Sequence, residues 1–181
     1  MLLNVFVFAV AFGLNGTIES FVGWAYGSNQ LKECGMHLNR GRVIVTTLLI
    51  PTFIMFIWID KILIALAQDE AVSRIARNYV LMCLPGVIAL VQFDSVKRFL
   101  QTIHKSFVST ATQCTTTVLH VAWCIIFIRV LDLGVSGAAL ALNTTYIINF
   151  LIQEGYIRYW DWDFFSQFMQ PLFQRSSFSW E

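Results

Sequence analysis

The chain has 181 residues, 57% of them hydrophobic and 13% charged, with a formal net charge of +1. Soluble domains carry about 25% charged residues, so a surface built for water is excluded, and a near-neutral balance leaves no basic footprint for nucleic acid. A mean hydropathy of +0.65 points instead to an all-α, polytopic membrane bundle.

A membrane-spanning helix needs about 20 largely apolar residues, and five such runs follow one another. The first extends from about Leu2 to Tyr26. Its opening stretch lacks the basic start and small-residue cleavage site of a signal peptide, so it is read as helix. The second runs from about Val43 to Ala67 and carries Pro51 and the Asp60–Lys61 pair. The third, about Ile75 to Leu100, contains Pro85 and Gly86; the fourth runs from about Phe107 to Val130, and the fifth from about Val135 to Tyr156. The intervening segments, 27–42, 68–74, 101–106 and 131–134, are read as loops. Barrel strands are short and alternating, whereas these runs are long and continuous. Bundle neighbours tolerate prolines in such helices, and the small residues Gly134, Gly137, Ala138, Ala139 and Ala141 permit close helix approach.

Lys and Arg set the orientation. One side of the membrane collects Lys32, Arg40, Arg42, Lys97, Arg98, Lys105, Arg158 and Arg175, and the other Lys61, Arg74, Arg77 and Arg129. The richer side is expected to be cytoplasmic, which places Met1 outside. A chain that starts outside without a signal peptide is awkward to insert, so a further helix before Met1 is expected on charge alone; a five-span protein inserted tail-first is the alternative.

Ionisable groups inside a bilayer are costly and mark pairs or pathways. Glu19 ends the first run with no cation within ten residues, either as a partner for a neighbouring helix or as a cavity group. His120 sits midway along the fourth run, among Ser109, Thr110, Thr112, Gln113, Thr115, Thr116 and Thr117. A histidine there can hold or pass a proton, or bond a neighbouring helix. Asn143 lies mid-span in the fifth run, to line a cavity or bridge helices. Asn143 and Asn15 each begin a glycosylation sequon, but inside expected helices neither should be modified. Asp94 and Arg98 are spaced to pair on one helix face. The four cysteines show no paired spacing, so neither a disulfide framework nor a metal site is expected. No catalytic motif, P-loop or dinucleotide fingerprint is present, so no enzyme and no cofactor is expected.

Several segments, in order, resemble the multidrug and toxic compound extrusion (MATE) transporters. "TIESFVGWAYGS" (17–28) is similar to the family's second-helix signature, and "GMHLNR" (35–40) to the segment that follows it. "LIALAQDEAVSRIARNYVLMCLPGV", "KRFLQTIH" and "LHVAWCIIFIRVLDLGVSGAALALN" resemble later family stretches, and the tail "WDWDFFSQFMQPLFQ" resembles the linker between the two lobes. Departures are Trp24 and Asn39, each where the family usually has Gln, and Thr102–Ile103 after the LQ pair. In bacterial members the fourth of these runs bears an Asn and an Asp near the proton site; the matching positions here are His120 and Cys124, and His is usual in plant and animal members.

The resemblance implies twelve helices in two six-helix lobes. Residues 1–157 would be a partial N-terminal lobe and 158–181 a cytoplasmic inter-lobe linker. It implies a secondary active antiporter in the plasma membrane or a vacuole-like membrane, exporting organic cations and other xenobiotics in exchange for H+ or Na+. His120, Asn143 and Glu19 are the candidate pathway residues, with Glu19 packing or gating the cytoplasmic edge. Alone, this chain is not expected to transport; the alternative is a non-transporting membrane fragment that acts as an assembly partner.

Overall fold

The computed structural model describes residues 2–157. These residues form six α-helices: α1 Leu2–Gly27, α2 Leu31–Ile57, α3 Ile59–Ala65, α4 Glu70–Thr102, α5 Ser106–Cys124 and α6 Gly134–Gly155. A π-helical segment, Ile125–Val130, continues α5. The linker expected at 158–181 lies outside the described residues. Among the described residues, four helices are long and apolar enough to cross a membrane: α2, α4, α5 with its π-helical continuation, and α6. α1, at 26 residues, exceeds the roughly 20 needed for a span. The chain is that of an integral, multi-pass membrane protein.

Two boundaries differ from the sequence expectation. α2 starts at Leu31, so most of the expected loop 27–42 is helix. Lys32, Glu33, Arg40 and Arg42 hold down the hydropathy there, yet each is compatible with a helix once its charge reaches water or a partner. The second run is also not continuous. It breaks at Trp58, and the short α3 carries Asp60 and Lys61. The break is held from α4, where Arg77 Nε donates to the Ile57 carbonyl at 3.1 Å and lies 3.9 Å from Asp60.

Three helix ends share one stop. After α1, Gln30 N–H bonds Ala25 O and Asn29 N–H bonds Tyr26 O, with Asn29 at φ +61°. Gln68 and Ala67 repeat the pattern after α3, and Lys105 and His104 after α4. This is the Schellman arrangement, which satisfies carbonyls a helix end would orphan. α4 starts on Asp69, whose carboxylate accepts from the N–H groups of Ala71 and Val72, a typical N-cap.

α4 is the axis of the bundle: α1, α2, α3, α5 and α6 all pack on it. Phe56, Phe99, Leu38, Leu49, Val22 and Val87 fill the core between α1, α2 and α4. On the other side α6 lies along α4, with Gly137, Ala139 and Ala141 buried, and α5 lies on α6. The long side of α5 away from α6 is exposed, Phe107 and Val118 most of all.

Candidate functional site

Among the described residues, four clusters of polar side chains lie between helices, each made by one pair or trio of them. The first is the seam between α5 and α6, which run antiparallel. Ser109, Thr112 and Thr116 are buried on α5, and Thr145, Asn149 and Gln153 on α6. Gln153 Nε2 donates to Ser109 Oγ at 2.5 Å, and Thr116 Oγ donates to Asn149 Oδ1 at 2.6 Å. His120 Nδ1 lies 2.8 Å from Thr145 Oγ, one rung further along the same ladder. Residues three or four apart share a helix face, which is why this spacing zips.

A tautomer with its proton on Nδ1 fits the seam: Thr145 Oγ, 2.8 Å from the Ala141 carbonyl, can donate there and accept from Nδ1–H. Nε2, 3.4 Å from the Cys124 thiol, is then an acceptor. His120 is half-buried and so stands between the seam and the exposed side of α5. Two atoms of this region, Gln153 Oε1 and Trp123 Nε1, are buried with no hydrogen-bond partner among the described residues.

The second place is the proline in α4. Pro85 has no N–H and breaks one rung of its helix. Asn143 of α6 reaches into the next one: its Nδ2 donates to the Met82 carbonyl at 2.5 Å, and its Oδ1 accepts from Gly86 N–H at 3.0 Å. In a regular helix those two backbone groups would bond each other. The amide thus stands in for a backbone rung and ties α4 to α6. A Cβ at Gly86 would meet Asn143 Oδ1 and lie 2.9 Å from Asn143 Cα, so glycine is what permits the approach.

The third place joins α1 to α4. Arg98 Nη1 lies 3.0 Å from Glu19 Oε2, and Arg98 Nε lies 3.0 Å from Asp94 Oδ2. Asn15 Nδ2 donates to Asp94 at 2.8 Å, and Ser95 Oγ lies 2.9 Å from Asn15 Oδ1. The guanidinium also sits 5.1 Å from the centre of the Phe12 ring. Glu19 therefore has its cation on a neighbouring helix, and Asp94 pairs with Arg98 as their spacing suggests.

The fourth place was not legible as a site. Arg42 is 7% exposed, inside α2 rather than in a loop. Its Nε donates to Gln92 Oε1 at 2.6 Å, and its Nη2 lies 3.3 Å from Glu154 Oε2. Gln92 Nε2 donates to Thr46 Oγ at 2.6 Å, and Phe150 lies against the guanidinium, 5.8 Å away. Arg42, Thr46, Gln92 and Phe150, with Val43 and Thr47, border a cavity of about 350 Å³. Only the polar Gln92 within an apolar run could have signalled it.

His120 and Asn143 meet on α6 but on different sides of it. Asn143 faces α4, whereas Thr145, two residues on, faces α5 and His120. Glu19 belongs to the separate α1–α4 cluster.

Comparison with known proteins places this geometry. The model of the MatE family matches residues 1–126. Protein DETOXIFICATION 6 of Arabidopsis thaliana is 33% identical over 158 residues, covering 86% of this chain and 32% of the relative. Protein DETOXIFICATION 5 of the same plant is 32% identical, with 86% and 33% covered. The chain thus spans about a third of the length of these relatives. Among solved structures, one described as the crystal structure of the eukaryotic MATE transporter AtDTX14 superposes with a TM-score of 0.85 at 23% identity, over 94% of this chain and 38% of that one. By family model and fold alike, this chain belongs to the MatE family.

Proposed function

We propose that this chain forms part of a membrane antiporter that exports organic cations and related xenobiotics in exchange for H+, with Na+ as the other candidate ion. The observation that carries this reading is the match of residues 1–126 to the MatE family. The work proposed is movement of solutes and ions, not covalent chemistry. The plasma membrane or a vacuole-like membrane is the proposed site.

His120 supports the proton version. Its Nε2 acceptor stands 3.4 Å from the Cys124 thiol on the half-buried side of α5. An imidazole nitrogen can take up and release a proton, and a proton on Nε2 turns that acceptor into a donor. The thiol must then turn, while the bond from Nδ1 to Thr145 is kept. Proton arrival and departure would thereby change the α5 side of the seam without breaking it. Asn143 and Glu19 are proposed to serve the pathway indirectly. One holds α4 to α6 at the proline, and the other holds α1 to α4.

A chimera tests the reading: this chain replaces its matching segment in Protein DETOXIFICATION 6. Efflux of a fluorescent lipophilic cation is then followed under an imposed pH gradient, with the unaltered relative as control. Gradient-dependent efflux by both is expected. A chimera that inserts and folds but leaves the cation inside, where the relative expels it, contradicts the reading.

A further inference from the structure

Arg42 is buried among α2, α4 and α6, at 7% exposure, and a guanidinium carries five N–H donors. Two of them are used: Nε donates to Gln92 Oε1 and Nη2 to Glu154 Oε2. Nη1 makes no hydrogen bond among the described residues. A guanidinium is always charged, so its donors cannot be given up, and a buried donor without an acceptor is costly. Arg42 borders the cavity of about 350 Å³, which has room for an acceptor. The other polar groups of that wall are already engaged. Thr47 Oγ donates to the Val43 carbonyl, Thr46 Oγ to the Arg42 carbonyl, and Gln92 Nε2 to Thr46 Oγ. The group that fits beside Nη1 is therefore an acceptor, and best an anionic one.

The depth of this layer says which anion is at hand. From Gly134 to Glu154, α6 rises about 30 Å at 1.5 Å per residue, the thickness of a bilayer's hydrocarbon core. Arg42 bonds both Glu154 and Gln92, so the three form one layer at the edge of the hydrocarbon. It lies toward the end of the bundle that carries Lys32, Arg40 and Lys105, the end that the positive-inside rule gives to the cytoplasm. Lipid phosphates stand at this level, the cytoplasmic leaflet is the anionic one, and basic pockets between helices on that side suit its head groups. Glu154 leaves room for a second anion on the same guanidinium. Arg98, in the same bundle, pairs with Glu19 and Asp94 at once.

We propose that Arg42 and its cavity bind the phosphate of an anionic phospholipid from the cytoplasmic leaflet. Nη1 donates to a phosphate oxygen, the glycerol part lies against Val43, Thr47 and Phe150, and the acyl chains stay in the bilayer. The bound lipid completes the partners of Arg42 and braces α2 against α6. The proposal goes beyond the antiporter reading and does not depend on it.

Thermal unfolding tests the site without measuring transport, because a ligand of the folded state raises the unfolding midpoint. The full chain is held in a maltoside detergent, which carries no phosphate, and receives phosphatidylglycerol, phosphatidylcholine or inorganic phosphate at equal concentration. A rise of several degrees is expected with phosphatidylglycerol, a clearly smaller one with phosphatidylcholine, and none with inorganic phosphate. Val43→Phe and Thr47→Phe narrow the cavity while leaving the side chains that bond Arg42 in place. Each should lose the phosphatidylglycerol effect, and two such variants guard against the failure of one to fold. Lys32→Gln removes a cation from the same end of α2, outside the cavity, and should keep the effect. Equal rises with the two lipids overturn the proposal, as does an effect that survives in both narrowed variants. Loss of the effect in Lys32→Gln overturns it too, since surface charge would then be the cause. Equal protection by inorganic phosphate overturns the lipid as occupant. The same titration of the chimera with Protein DETOXIFICATION 6 should reproduce the rise; its absence there would mean that the remaining polypeptide supplies the acceptor, and the proposal falls.

Discussion

At the scale of single residues, two side chains have partners that no local pattern announces. Asn143 occupies both backbone groups freed beside Pro85. Asn143→Ala removes the two hydrogen bonds that tie α4 to α6, each worth about 0.5–1.5 kcal/mol. A lowered midpoint of thermal unfolding in detergent is expected. Gly86→Ala should be at least as damaging, because the new methyl group meets Asn143 backbone as well as side chain. An unchanged midpoint in both variants would mean that the amide does not hold the proline site. Arg42 is the second case. It reaches Gln92 and Glu154 with different nitrogens of one planar group. Removing one member of a buried ion pair costs about 3–5 kcal/mol, so Arg42→Ala should unfold well below the parent. Arg42→Lys should recover only part of the loss, since an ammonium is a point charge and not a fork. Full recovery with lysine would show that charge alone matters there.

At the scale of elements, long apolar runs were easy to read and their interruptions were not. α5 with its π-helical continuation spans Ser106–Val130, and α6 spans Gly134–Gly155. Both lie close to the runs seen in the sequence, since the charged residues within them, Arg129 and Glu154, each fall near an end. The start of α2 was hidden because four charged residues precede Val43. What the sequence cannot display is that Gln92 and Glu154, fifty and more residues away, neutralise and bond Arg42. The same holds for Glu19, whose cation on α4 is 79 residues distant. The polar character of the fourth run and the mid-run place of His120 were visible; its rung with Thr145 required α6 in place. Helix ends give a further prediction. Ala67 holds a left-handed conformation at φ +62°, which costs a side-chain-bearing residue roughly 1–2 kcal/mol. Ala67→Gly should raise the unfolding midpoint slightly, because strain relief outweighs the added freedom of the unfolded chain. A fall would show that the turn after α3 is not strained.

At the scale of the whole molecule, α4 gathers every other helix while α5 is held mainly from one side, by α6. Charge still points the same way after the boundaries move. Lys32, Arg40, Arg42, Lys97, Arg98 and Lys105 stand toward one end of the bundle, and Lys61, Arg74, Arg77 and Arg129 toward the other. By the positive-inside rule, the amino-terminal end of α5 is proposed to face the cytoplasm. The central claim is exchange: a cation moves one way and a proton the other. The measurement that tests this most directly is the lumenal pH of proteoliposomes holding the chimera when an organic cation is added outside. The account predicts that the lumen becomes alkaline as the cation enters and that His120→Phe, in protein that still folds, abolishes the change. Cation entry with no movement of protons would contradict it.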